Sequence, residues 1–183
     1  MAIILQPFTK SMGEQIIAAF AENFTEFYFS TAYARTSGVQ LLQPYMQAFR
    51  ERGGQIVGFV GIDRHRSSKE ALEALFVLTS QLYICHGAKP ESVYQPKLYL
   101  FRNADTARLL VGSSDLTEGG LYTNYEAACA LDYDLRRPQE AAEVAEVLQI
   151  LEHLRCAEER VCKKATQKLL RDLERQSYIL SEA

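Results

Sequence analysis

Apolar and polar residues alternate along the chain in blocks whose period switches between that of a helix and that of a strand. In Ser11–Ala21 the apolar positions form one stripe, and Glu14 follows Ser11 at the spacing of a capping box. The pattern predicts a helix there. Val39–Arg52 has a second amphipathic pattern, which a Gly-Gly pair ends. A third helix is predicted at Glu70–Thr79.

Short apolar runs between these helices have the length of strands. Glu26–Ala34 is rich in aromatic and small residues, and Gln55–Ile62 is a continuous apolar run, as expected for a strand that is buried on both faces. Further strands are predicted at Gln81–His86, Lys97–Phe101, Arg108–Val111 and Tyr125–Leu131. Helices that alternate with strands, followed by closely spaced strands, predict an α/β sandwich with a mixed sheet.

The last part of the chain has a different pattern. Leucine and valine repeat at helical spacing from Arg137 onward, which predicts one broken helix or two helices over Gln139–Tyr178. We expect this segment to pack on the sheet or on a second copy. Because no linker or internal repeat divides the chain, we predict a single domain with an α/β core over 1–136 and a C-terminal helical segment over 137–183.

Composition limits the classes of protein that need to be considered. The chain has 183 residues and 48% hydrophobic content, which suits one compact domain. Its formal net charge of -3 argues against bulk attraction to nucleic acid but leaves room for a local basic cleft. No apolar run approaches the roughly 20 residues of a membrane span, and the N-terminus lacks the pattern of a signal peptide. We expect a cytoplasmic protein that makes no contact with membranes.

The cysteines and histidines give little sign of a metal site. The chain has four cysteines without a C-x-x-C pair, and its three histidines are scattered. Cys85 and Cys129 lie in apolar stretches, which predicts buried free thiols. We therefore expect neither a metal ion nor a cofactor.

The segment from Tyr94 to Leu131 contains the most informative pattern. Two short predicted strands are followed by the turn Gly112–Ser114, and Lys97 begins the first strand. A turn led by glycine can present backbone N–H groups and hydroxyls to an oxyanion, and a lysine adds a positive charge. Taken together, these residues predict a phosphate-binding cradle at Lys97, Gly112, Ser113 and Ser114.

The residues KLYLF, then ARLLVGSS-x-LTEGGL, then Asn-x-Glu resemble the nuclease branch of the phospholipase D superfamily. That branch includes restriction endonucleases and domains attached to helicases, and its motif is H-x-K, then G-S-x-N, then a downstream Glu or Gln. The resemblance covers most of Glu14–Asp132 and implies a phospholipase D-like α/β/α sandwich with a mixed sheet. It also implies metal-independent phosphodiester cleavage in a cleft between two motif copies. One copy in this chain therefore implies a homodimer.

The motif is only partly retained. The family's positions are filled by Gln95 for the histidine, Lys97 for the lysine, Gly112 and Ser113 for the G-S pair, Asp115 for the asparagine and Glu126 for the downstream carboxylate. A glutamine amide is neither a nucleophile nor a proton shuttle near neutral pH, whereas imidazole is both. A carboxylate at Asp115 would repel a phosphate oxygen. We therefore predict a phospholipase D-like protein that is catalytically inactive or impaired.

Residues outside the motif leave alternatives open. Arg64, His65 and Arg66 follow a predicted parallel strand, and they either contact a DNA backbone or form a solvated loop. Our leading hypothesis is a homodimer that binds nucleic acid or supports a partner protein in a restriction, defence, helicase or other DNA-processing complex. One rival is an active phosphodiesterase with His86 as a displaced nucleophile. The other is a protein-interaction module without a role in nucleic-acid binding.

Overall fold

The computed structural model describes residues 1–89, 91–155 and 161–182. The strands are β1 Ala2–Gln6, β2 Glu26–Thr31, β3 Gln55–Gly61, β4 Gln81–Cys85, β5 Leu98–Arg102, β6 Thr106–Gly112, β7 Glu126–Asp134 and β8 Cys162–Lys164. The helices are α1 Met12–Phe20, α2 Thr36–Glu51, α3 Lys69–Leu78, α4 Pro138–Arg155 and α5 Gln167–Arg175, with short helical turns at Asp63–His65 and Gly119–Thr123. None of the described helices has both the length and the apolar composition needed to cross a membrane.

All eight strands form one sheet in the order β1-β7-β6-β5-β2-β3-β4-β8. β2, β3 and β4 pair in parallel, while the remaining neighbours pair antiparallel. The parallel strands are connected through α2 and α3, as crossover connections require. The predicted mixed sheet is therefore confirmed.

Helices cover both faces of the sheet. One face packs against α1, α2, α3 and α5 through a continuous apolar core in which Phe20 makes edge contacts with Phe27 and Phe101. The opposite face packs against α4, where Val144 belongs to one buried apolar cluster with Leu100 and Leu109. These layers make the α/β/α sandwich that the family resemblance implied.

Local sequence signals explain where several helices begin. Ser11 accepts the N–H of Glu14 at 3.1 Å, and the Glu14 carboxylate accepts the N–H of Ser11 at 2.8 Å, so the predicted capping box is present. Ser68 caps α3 by accepting the N–H of Ala71 at 3.2 Å. These side chains satisfy backbone N–H groups that the first helical turn leaves without partners.

Two strands were not predicted. β1 pairs with β7 at one edge of the sheet, and β8 pairs with β4 at the other. The prediction of a purely helical segment over 137–183 is wrong at Cys162–Lys164, because these residues form β8. The part of the predicted helix at 156–160, which includes Cys156, lies outside the described residues.

A disulfide joins the edge strand β8 to its neighbour β4. Cys85 and Cys162 lie directly opposite each other in the antiparallel register and are bonded through their sulfurs. The prediction that Cys85 is a free thiol is therefore wrong, whereas Cys129 is free and partly buried. The pairing could not be foreseen because the two residues are 77 positions apart and β8 itself was missed.

Candidate functional site

The predicted motif residues meet at one edge of the sheet. Ser30 of β2 pairs with Leu98 of β5, Leu98 pairs with Val111 of β6, and Val111 pairs with Cys129 of β7. β5 and β7 run antiparallel to β2 and β6. The residues that follow β2 and β6 and those that precede β5 and β7 therefore lie together at the same ends of the strands. The topology thus brings together segments that are distant in sequence, as in ligand sites of other open α/β sheets.

Gln95 is held by both ends of its side-chain amide. Its Nε2 donates to the Tyr33 hydroxyl at 3.1 Å, and its Oε1 accepts from Lys97 Nζ at 2.8 Å. These contacts assign the orientation of the amide, since the oxygen must face the ammonium group. The motif position that carries an imidazole in the resembled family is occupied here by a neutral amide that is already hydrogen-bonded to its neighbours.

Asp115 connects the end of β2 with the turn that follows β6. Its Oδ1 accepts the N–H of Tyr33 at 3.0 Å and lies 3.1 Å from the hydroxyl of Thr31. Its Oδ2 lies 3.9 Å from Lys97 Nζ, and both side chains are largely buried. Burial raises the pKa of Asp115, while Lys97 and the hydrogen bonds from Tyr33 and Thr31 act in the opposite direction.

Ser113 and Glu126 form a second interacting pair. The Ser113 hydroxyl donates to the Glu126 carboxylate and accepts the N–H of Ala127 at 3.1 Å. Asn124 Nδ2 donates to the other oxygen of Glu126 at 3.2 Å. The carboxylate is therefore oriented by the turn and by the start of β7.

The turn does not present the backbone cradle that the sequence suggested. The N–H of Gly112 donates to the Lys97 carbonyl at 3.4 Å, and the N–H of Ser113 donates to the Ala127 carbonyl at 3.0 Å. The prediction that these two groups point at an oxyanion is wrong, because they extend the sheet. Ser114 is only 1% exposed, so its hydroxyl is not available at the surface. Gly112 instead serves close packing, since a Cβ there would meet the Ala127 carbonyl at 2.4 Å.

Two arginines stand beside these groups. The Arg66 guanidinium lies over the Tyr33 ring, 4.1 Å from its centroid. A cavity of about 140 Å³ is lined by Arg66 and Arg35 together with Asp115 and Glu126. Sequence reasoning missed Arg35. The available signal was its position directly after the predicted aromatic-rich strand Glu26–Ala34, and the structure places it at the beginning of α2.

The other predicted residues lie elsewhere. Arg64 and His65 line a separate cavity together with His86, so only Arg66 of the predicted basic loop reaches the motif residues. His86 is thus placed away from Gln95, with its Nδ1 at 2.8 Å from the Gly87 carbonyl oxygen. The loop is nevertheless anchored near the site, because Asp63 accepts the N–H of Tyr94 at 2.6 Å.

Comparison with known proteins establishes the fold. No protein-family model and no curated protein sequence matches this chain. Among solved structures, it is similar to Nuc from Salmonella typhimurium, a phospholipase D family member, with a TM-score of 0.63 and 15% identity over 91% of this chain and 97% of Nuc. This chain has a phospholipase D-like fold.

Two further solved structures share this fold. NucT from Helicobacter pylori superimposes with a TM-score of 0.61 at 12% identity, covering 82% of this chain and 94% of NucT. Phosphatidylserine synthase from Haemophilus influenzae gives a TM-score of 0.64 at 13% identity over 96% of this chain and 45% of the synthase. The predicted fold is therefore confirmed, and at these identities the similarity concerns the fold alone.

Proposed function

We propose that this phospholipase D-like protein binds a nucleic-acid backbone without cleaving it. The observation that carries the proposal is Gln95, whose amide lies between Tyr33 and Lys97 at the motif's histidine position. Metal-free phosphodiester cleavage needs a group that attacks phosphorus and a group that protonates the leaving oxygen. An amide does neither, because its nitrogen lone pair is delocalised and it does not titrate near neutral pH.

The charges around Gln95 also oppose catalysis. Asp115 is paired with Lys97 at 3.9 Å, so the one motif cation is partly neutralised within the protein. A carboxylate about 4 Å from a phosphate oxygen repels it by about 1 kcal/mol in water and by more in a drier cleft. We infer that Asp115 keeps phosphate from approaching Lys97 closely enough for reaction.

Binding without cleavage is supported by the cations outside the motif. Arg35 and Arg66 line the same cavity. Arg35 lies 4.0 Å from Glu182, whereas Arg66 packs on Tyr33 and has no ion pair among the described residues, so Arg66 is the more available of the two. Arginine recognises phosphate through paired N–H groups, and the buried Tyr33 ring supports the Arg66 guanidinium that packs on it. Contacts of this kind position a backbone without reading its sequence.

The homodimer belongs to the same proposal. Ile3 and Leu5 of β1 and Val111 of β6 point from one face of the sheet and are 64%, 45% and 40% exposed. Val111 is two residues before Ser113, so this apolar face borders the site. Two copies that pair through it would bury the face and bring two sets of motif residues into one cleft. By resemblance alone, we place such a dimer in a restriction, defence or DNA-processing assembly.

The cleavage half of the proposal is tested by comparing the native protein with a Gln95→His, Asp115→Asn variant. Both are incubated with DNA and with bis(p-nitrophenyl) phosphate in EDTA. We expect no turnover by the native protein and measurable turnover by the variant, because the variant restores a nucleophile and removes a repelling charge. Strong EDTA-resistant cleavage by the native protein would contradict the proposal.

The binding half is tested by gel shift over a range of salt concentrations. We expect Arg66→Gln to weaken binding and to reduce the salt slope by about one unit, as the loss of one phosphate contact does. Arg136→Gln is the matched control, because Arg136 is an exposed arginine paired with Asp134 at 2.7 Å, at the end of β7 away from the site. Equal loss in both variants would indicate bulk attraction instead of a site.

A further inference from the structure

A second, larger cavity opens at the ends of β3 and β4 beneath α5. Its volume is about 520 Å³, which is the size of a site for a small organic molecule. Its apolar lining comes from Ile62, Ile84, Leu169 and Leu173. A ligand with an apolar body can therefore pack against this wall, in contrast to the small polar cavity beside Asp115.

The charged groups that line this cavity differ in whether they already have partners within the protein. Arg64 and Lys163 line it, and neither forms an ion pair with another residue in the described ranges. Asp63 also lines it, but its carboxylate is directed to the backbone: it accepts the N–H of Gly87 at 3.0 Å and that of Tyr94 at 2.6 Å. Asp172, the other acid, lies 4.0 Å from Arg175. Positive charge at Arg64 and Lys163 thus remains available to an anion.

Two imidazoles are oriented in the same cavity. His65 Nδ1 lies 3.2 Å from the Tyr178 carbonyl oxygen, and His86 Nδ1 lies 2.8 Å from the Gly87 carbonyl oxygen. A carbonyl can only accept, so Nδ1 carries the hydrogen in both rings. Each Nε2 is then left to accept a hydrogen bond.

The loop that supplies Arg64 and His65 has an unusual backbone. Both residues lie in the left-handed region, with φ of 59° and 54°. Consecutive non-glycine residues rarely adopt this conformation, because the Cβ atom crowds the backbone, and such strain concentrates at functional sites. The conformation directs two polar side chains into one cavity.

We propose that this cavity binds a small organic anion, with its apolar body against Leu169 and Leu173 and its phosphate or carboxylate group beside Arg64 and Lys163. Gln95, Lys97 and Asp115 do not line this cavity. It can therefore exist whether or not the protein binds nucleic acid.

The test uses anilinonaphthalene sulfonate, a fluorescent organic anion with an apolar body, titrated into the full chain. We expect one saturable site and an affinity about tenfold lower in Lys163→Gln, as the loss of one charge-assisted contact predicts. Lys164→Gln is the matched control: it is the next residue of β8 and pairs with Tyr83 on the opposite sheet face, whereas Lys163 pairs with Ile84. The control should stay within about twofold of the native protein, since the contacting charge is unchanged.

Further measurements make the test decisive. Leu173→Trp, which fills the cavity, should abolish saturable binding while circular dichroism shows the native fold. Amide chemical shifts should move at Ile62–His65 and leave Lys97 unchanged. Displacement of the probe by adenosine monophosphate would identify a phosphate site, and displacement by naphthoate a carboxylate site. Displacement by neither, equal loss in both lysine variants, or shifts centred on Lys97 would overturn the proposal.

Discussion

The site at Gln95 and the cavity beneath α5 both lie at the carboxyl ends of the parallel strands. They differ in whether their polar groups already have partners within the protein. At the first site, Gln95 and Asp115 both contact Lys97, and Ser113 donates a hydrogen bond to Glu126. Beneath α5, Arg64 and Lys163 lack such partners among the described residues. Residues retained from the motif therefore do not identify the place where a ligand can be bound most readily. A site is defined by the groups that remain available.

The largest expected effect is on the free energy of unfolding, when the disulfide beside the cavity beneath α5 is removed. The Cys85–Cys162 disulfide closes a loop of 77 residues, and chain-entropy arguments assign such a bond about 4 kcal/mol of stability. Cys162→Ser should lower the free energy of unfolding by about this amount in urea titrations. It should also weaken anion binding, because Lys163 follows Cys162 on β8.

The matched control for this change is Cys129→Ser, which alters the free and partly buried thiol of β7. It should leave anion binding unchanged, because β7 lies near the opposite end of the strand order from β8. If Cys162→Ser disturbs amide shifts around Lys97 as strongly as those around His86, the two regions are not separable and the comparison fails.

The next largest effect concerns Asp63, which joins the two regions. Its carboxylate accepts N–H groups from Gly87, beside His86, and from Tyr94, beside Gln95. Asp63→Ala leaves both N–H groups without their acceptor and should cost about 2 kcal/mol or more of stability. Hydrogen exchange should become faster at both Gly87 and Tyr94. Asp172→Ala is the control, because Asp172 also lines the cavity but its carboxylate accepts neither N–H group. It should leave hydrogen exchange at Gly87 and Tyr94 unchanged.

The sequence predicted the parallel core because its signals are local. The capping box at Ser11 and the continuous apolar run of β3 each determine an element within a few residues. It missed β8 because three residues, two of them lysines, carry no periodic signal, and their pairing with β4 is a long-range contact. The motif resemblance located Gln95, Lys97 and Asp115. It could not show that the N–H groups of Gly112 and Ser113 are used by the sheet, since that depends on the tertiary register.

The smallest effect concerns the titration of Asp115. Burial raises its pKa in the folded protein above the ordinary value of 3.8. The folded state therefore holds this proton more tightly than the unfolded chain does. The stability that Asp115 contributes is fully present below pH 3.8 and is lost as the pH rises through the folded pKa. Relative to Asp115→Asn, which does not titrate, the native protein should become less stable over that window, as measured by urea unfolding at a series of pH values.

The charge of Lys97 lowers the pKa of Asp115 against the effect of burial. Lys97→Met should move the pH window upward and enlarge the loss of stability, since the carboxylate would then be buried without its cation. Lys164→Met, on the distant strand β8, should leave the window in place. A window unmoved by Lys97→Met would mean that Lys97 does not neutralise Asp115. The lysine would then be as available to an anion as Arg64 and Lys163 are, and the contrast between the two regions would disappear.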